Sequence, residues 1–215
     1  MPTSWMDVLL RLAAIVVALP VHEWAHAWVA DRLGDETPRL DGRLTLDPRA
    51  HLDPWGALFL LLTGFGWARP VRFSPRRVRW GHPRGVLWVA LAGPLANLAL
   101  AALAVGMAPL LTRWGWREGA AALLTFAFLN ALLTFFNLLP LPPLDGATVA
   151  RELFPRVWAR YIAPLEPYAL LAFLALFWLL PRLGLPVLTW LVVAPARWTI
   201  AGLLVLAEGL WRLVG

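Results

Sequence analysis

Apolar residues run along this chain in blocks of about twenty, separated by short polar stretches that carry arginine. The first block covers residues 5–31 and is broken by Pro20, then by His22, Glu23 and His26. Blocks at 85–111 and 119–139 follow, and two more lie at about 163–181 and 186–212. Twenty apolar residues in a helix cross a hydrocarbon core of ~30 Å. The pattern therefore predicts an all-α polytopic membrane protein with about five spanning helices. Two segments depart from it. Residues 55–68 (WGALFLLLTGFGWA) are apolar but only 14 long, which is short for a crossing and suits a re-entrant or interfacial segment. Between 38 and 47, Leu40, Leu44 and Leu46 share one parity while Asp41, Arg43, Thr45 and Asp47 take the other. That alternation around an Asp41-Gly42 turn signal predicts a small β-hairpin.

Composition narrows the class. Of 215 residues, 60% are hydrophobic and 15% charged, against about 45–50% and about 25% in a soluble domain. Mean hydropathy is +0.66. Such a chain is not disordered, and with no cysteine it is not a disulfide-stapled secreted module. A net charge of +6 suggests a nucleic-acid binder, but the nineteen basic residues, all arginines, lie mostly between apolar blocks, as juxtamembrane charges do. The partner expected from charge is the lipid bilayer, with no nucleic acid. Six arginines lie within 69–84 and three more within 151–160. Placing both loops in the cytoplasm satisfies the positive-inside rule, and the two crossings between them keep both on one side. If 55–68 does not cross, the first helix runs parallel to 119–139. The N-terminus lacks a basic n-region and Arg11 interrupts its apolar run, so no cleaved signal peptide is expected. With no domain-separating linker and no fixed repeat, residues 1–215 read as a single membrane-embedded domain.

His22-Glu23-Trp24-Ala25-His26 is an HExxH motif inside the first apolar block. On a helix the i, i+4 spacing stacks both imidazoles on one face, where they can grip one metal ion, and Glu23 beside them can take a proton from water on that ion. Three ionisable groups in five residues of a span are costly, ~2.5–3.5 kcal/mol for a charged group at mid-bilayer. That cost favours a functional reason over a polar patch. A catalytic metal commonly takes three protein ligands, and the candidates for the third are His51, His82 and the nearby carboxylates. His82 sits in the arginine-rich loop, where water solvates it. Asp145 follows a spanning block, just after Pro140, Pro142 and Pro143 break the helix. Backbone opened at that depth must line a cavity, and counting crossings brings Asp145 to the side of His22 and His26. An ordinary turn also accounts for Asp145-Gly146, so spacing alone leaves the third ligand open.

HEWAH in the first span, AGPLAN (Ala92–Asn97) in a middle span and NLLPLPPLDG (Asn137–Gly146) after a third resemble the site-2 protease family of intramembrane zinc metalloproteases. The similarity is greatest to the compact bacterial members without a PDZ domain. The three motifs stand in family order over residues 20–150, and GRLTLDP (Gly42–Pro48) and GWARPV (Gly66–Val71) also resemble the compact subgroup. The resemblance implies one Zn2+ per chain held by His22, His26 and Asp145, with Glu23 as the catalytic base. It implies a metalloprotease domain whose catalytic core is about 5–150, with C-terminal helices at about 160–213. It also implies transmembrane protein substrates and a multi-pass location in the bacterial inner (cell) membrane.

Asn97 and Asn137 are amides in strongly apolar stretches, where an unpaired amide costs several kcal/mol. They either join helices, with Gly93 allowing close approach, or, as the resemblance implies for Asn137 and Pro140 and less directly for Asn97, hold an extended substrate. His51 with Asp53 reads as a structural hydrogen-bonding pair, and the arginines of 69–84 as topology and headgroup contacts. The competing class is a non-catalytic membrane metal-binding protein or zinc carrier on a protease-like scaffold. It would also want His and Asp in its spans, but it has no need of a Glu beside the first His.

Overall fold

The computed structural model describes residues 5–63, 66–80 and 83–214, which are mostly helical with no strand among them. Among the described residues, five helical runs are long and apolar enough to cross a membrane: Val8–Arg32, Arg84–Arg113, Arg117–Asn137, Pro155–Arg182 and Thr189–Arg212. The first run joins α1 (Trp5–Ala13) to α2 (Leu19–Arg32) through a π-helical turn at Ala14–Ala18. That widened turn lies just before Pro20, which has no N–H for the carbonyl four residues back. Three short helices follow, α3 (Thr37–Leu40), α4 (Pro48–His51) and α5 (Pro54–Thr63). The central pair is α6 (Arg84–Arg113) and α7 (Arg117–Asn137), and α8 (Asp145–Leu153) comes after the proline-rich segment.

Small residues set the packing. Ala92, Ala101, Ala104 and Ala108 of α6 and Ala127 and Ala131 of α7 are buried, so the two backbones approach closely. Asn97 meets Asn130, and Pro94 meets Thr134, so α6 and α7 run antiparallel. His26 meets Val89 while His22 meets Asn97, so α2 is antiparallel to α6 and parallel to α7, as the loop charges predict. The last span starts beside Leu139, through Val192, and ends where the Trp211 indole donates to the Gly106 carbonyl, parallel to α6. The run Pro155–Arg182 is broken by a π turn at Trp158–Ile162 and a 3-10 stretch at Ala163–Tyr168 that contains Pro164 and Pro167. It docks on α7 through Leu176, Phe173 and Phe177.

The expected β-hairpin at 38–47 is not formed. The Asp35 carboxylate accepts from the Thr37 backbone N–H (3.1 Å) and hydroxyl (2.6 Å), which starts α3. Gly42, at φ +69, ends it. The Arg43 N–H bonds to the Pro38 carbonyl (2.8 Å) and the Gly42 N–H to the Arg39 carbonyl (3.0 Å), the paired bonds of a left-handed helix cap. Asp41-Gly42 therefore stops a helical turn instead of joining two strands. The alternation is also inverted: Leu40 and Leu46 are exposed and Arg43 is buried. Among the described residues, extended pairing is confined to one antiparallel bridge, Leu52 with Ala68, which closes the base of α5. Residues 64–65 of the short apolar segment lie outside the described residues. Its helical part, α5, is a ten-residue apolar helix capped by Asp53, whose carboxylate accepts from the Gly56 N–H at 2.8 Å.

Candidate metal centre

Four helices bring polar atoms to one end of the bundle. His22 and His26 lie one turn apart on α2 and are buried together, their ring centroids 4.7 Å apart and nearly perpendicular. They face α6 at Gly93. A Cβ built there would collide with Nε2 of His26 and stand 2.6 Å from Cε1 and Nε2 of His22, so only glycine lets the α6 backbone lie against both rings. Asp145, the first residue of α8, closes the group from below α7.

The protonation of both imidazoles follows from their supports. The Asn130 amide NH2 donates to the Phe126 carbonyl (2.9 Å), which leaves its oxygen to accept from the Asn97 NH2 (3.1 Å). The Asn97 oxygen then faces His22 Nδ1 at 2.7 Å, so that nitrogen carries the proton. His26 Nδ1 lies 2.7 Å from the Val89 carbonyl, an acceptor only, and is likewise protonated. In the neutral rings both Nε2 atoms therefore present lone pairs. They lie 3.1 Å from each other and 3.2 and 3.3 Å from Asp145 Oδ2. That oxygen is buried with no hydrogen-bond partner.

Three lone pairs aimed at one point repel one another unless a cation sits among them. Ligands bonded at ~2.0–2.1 Å in a tetrahedron stand ~3.3–3.4 Å apart, close to the observed spacings, so the donor set fits a small tetrahedral divalent ion. Glu23 is buried beside this group but is not part of it. Its Oε2 instead accepts from the Val71 backbone N–H at 2.9 Å.

The other residues singled out in the sequence divide among several places. Asn97 is fully buried, its amide shared between His22 and Asn130. Asn137, at the end of α7, is half-buried and donates back to the Leu133 carbonyl at 3.0 Å, and Pro140 is exposed in the turn leading to Asp145. His51 and Asp53 do not pair with each other. His51 is fully buried with Nε2 2.7 Å from the Thr45 carbonyl, and Asp53 caps α5. His82 lies outside the described residues. Asn130, Thr134 and the Val71 N–H were not anticipated as supports. The available signal was the i, i+4, i+7 spacing of Asn130, Thr134 and Asn137 on one face of an apolar helix.

A helix-borne histidine pair completed by an aspartate from a distant helix, inside a bundle of spanning length, gives a polytopic membrane protein a candidate metal centre. Residues 111–180, which contain α7 and Asp145, match peptidase family M50. The chain is 40% identical over 184 residues to "Putative zinc metalloprotease YwhC" of Bacillus subtilis (strain 168), with 82% of each chain covered. It is 36% identical over 172 residues to "Putative zinc metalloprotease Rip2" of Mycobacterium tuberculosis (strain ATCC 25618 / H37Rv), covering 77% of this chain and 65% of that protein. The protein of that name from Mycolicibacterium smegmatis (strain ATCC 700084 / mc(2)155) is 32% identical over 180 residues, 79% of this chain and 67% of the relative. No solved structure matches. The chain belongs to peptidase family M50, the site-2 protease family.

Proposed function

We propose that the chain is an intramembrane zinc metalloprotease that hydrolyses peptide bonds in or near the transmembrane segments of other membrane proteins. One observation carries this: Nε2 of His22, Nε2 of His26 and Oδ2 of Asp145 converge at 3.1–3.3 Å with Glu23 next to them in sequence and outside the ligand set. The names of the relatives, each a zinc metalloprotease, support zinc as the ion, one per chain. The chemistry a zinc ion would supply there is activation of water, whose pKa would fall far below that of bulk water toward ~7, and polarisation of the scissile carbonyl. Glu23 is the general base: it takes the proton of the attacking water and returns it to the leaving amine. Asn97 and Val89 accept from Nδ1 of His22 and His26, which orients both rings with Nε2 toward the ligand set. Asn137 and Pro140, on the path from α7 to Asp145, are assigned to holding an extended substrate. Asn97, also expected to touch substrate, is assigned to orienting His22.

Depth supports a site inside the bilayer. His22 lies ~21 Å along its span from Val8 at 1.5 Å per residue, toward the end of a ~30 Å core that carries the basic loops. α5, at ~15 Å, is too short to cross and serves as a re-entrant wall through which water reaches the site. On this reading residues 1–215 form one protease domain of the bacterial inner membrane, acting in regulated intramembrane proteolysis. The test is cleavage of a quenched-fluorescent single-span peptide in vesicles. Chelation should abolish turnover and added zinc restore it. Undiminished cleavage by the metal-stripped protein would contradict the proposal.

A further inference from the structure

Arg43 is a buried arginine that the chemistry above does not use. It is held from both ends. Its backbone N–H closes the cap of α3 on the Pro38 carbonyl, and its Nη1 donates to the Ala50 carbonyl at 2.5 Å and to the Arg69 carbonyl at 3.2 Å. Burial lowers the pKa of its guanidinium and the neighbouring Arg69 lowers it further, while Glu23 is the first of the charges that oppose them. A cation is therefore kept in an unfavourable place, within electrostatic range of Glu23, by the carbonyls it bridges.

Those carbonyls lead to Glu23. The Arg69 N–H donates to the His51 carbonyl at 2.7 Å and the Arg69 carbonyl accepts from Arg43, so both backbone groups of residue 69 are pinned. Two residues on, the Val71 N–H donates to Glu23 Oε2. Residues 69 and 71 thus both turn backbone groups inward, the first to Arg43 and His51 and the second to Glu23. Between them Pro70 has its φ locked near −65°, so the placement of residue 69 is transmitted to Val71 with one soft dihedral fewer.

We infer that Arg43 is a positioning residue for the general base: it clamps the 69–71 backbone so that the Val71 N–H holds the Glu23 carboxylate in line with the metal site. The inference rests on the protease reading for its effect on turnover, but its structural half stands apart. Arg43→Met removes the donors while roughly keeping the length of the side chain. The reporter is the single-span peptide in phosphatidylcholine–phosphatidylglycerol vesicles, with bound zinc and amide exchange at Val71 measured on the same preparations. Expected are a kcat lowered ~10–100-fold, the range lost when a supporting partner of a site is removed, an unchanged KM and zinc content, and faster exchange at Val71. Arg43→Lys should recover part of the rate. Combining Arg43→Met with Val71→Pro, which deletes the N–H itself, should be no slower than the slower single variant, because both break one linkage. A wild-type kcat in Arg43→Met, a parallel loss of zinc, or unchanged exchange at Val71 would overturn the inference. If wild type itself does not cleave, the protease reading fails, and Val71 exchange alone decides the clamp. If Arg43→Met does not fold, Arg43→Gln is put to the same measurements.

Discussion

Gly93→Ala is the smallest change that should damage the metal centre. The added methyl has nowhere to go: it collides with His26 Nε2 and lies 2.6 Å from Cε1 and Nε2 of His22. Neither ring can give way freely, since His22 is held by Asn97 and His26 by the Val89 carbonyl, each at 2.7 Å. Overpacking of this kind costs ~1–3 kcal/mol. Borne mainly by the arrangement of the two ligands, that is a ~5–150-fold weaker affinity at 1.4 kcal/mol per tenfold. The matched control is Gly106→Ala on the same helix, where a Cβ meets nothing within 4 Å. Both substitutions carry the same gain in helix propensity, so it cancels in the comparison. Zinc affinity is measured by competition with a fluorescent chelator on both purified variants. Equal affinities for Gly93→Ala and Gly106→Ala would refute the close approach of α6 to the ligands.

Asn97→Leu should weaken zinc binding ~10–100-fold by releasing His22, whereas Asn97→Asp keeps an acceptor for Nδ1 and should retain most of the affinity in the same competition assay. Gly42→Ala places a Cβ at φ +69, costing ~1–2 kcal/mol, and should appear as a lower unfolding midpoint. Cysteines introduced at Arg77 and Arg156, in a chain with no native cysteine, should be labelled by an impermeant reagent from the same side of sealed vesicles; labelling from opposite sides would contradict the helix directions.

Much of the site was legible because its spacing is short and its chemistry costly. His22 and His26 share a face by the period of the helix, and ionisable groups in an apolar block need a reason. The proline break and the count of crossings favoured Asp145 as the third group over an ordinary turn, and the resemblance then implied it as a ligand. The hairpin was misread for a physical reason. Over ten residues, alternation cannot tell a strand from a loop whose inward group is charged, and here Arg43 is buried while Leu40 and Leu46 face outward. Asp-Gly serves a hairpin turn and a helix cap equally well, and the choice was made by Asp35 bonding to Thr37 and to the Ser74 N–H, a contact 39 residues away. Backbone donors such as the Val71 N–H leave no trace in a sequence at all.

The central claim is that His22, His26 and Asp145 hold the metal while Glu23 moves the proton. It is tested most directly by measuring zinc content and single-span peptide cleavage on Glu23→Gln beside wild type. The glutamine keeps the size of the side chain and an oxygen for the Val71 N–H, but it cannot accept the proton. The expected result is one zinc per chain in both proteins, with cleavage by wild type only. A Glu23→Gln protein that cleaves at the wild-type rate, or that has lost its zinc, would contradict that division of roles.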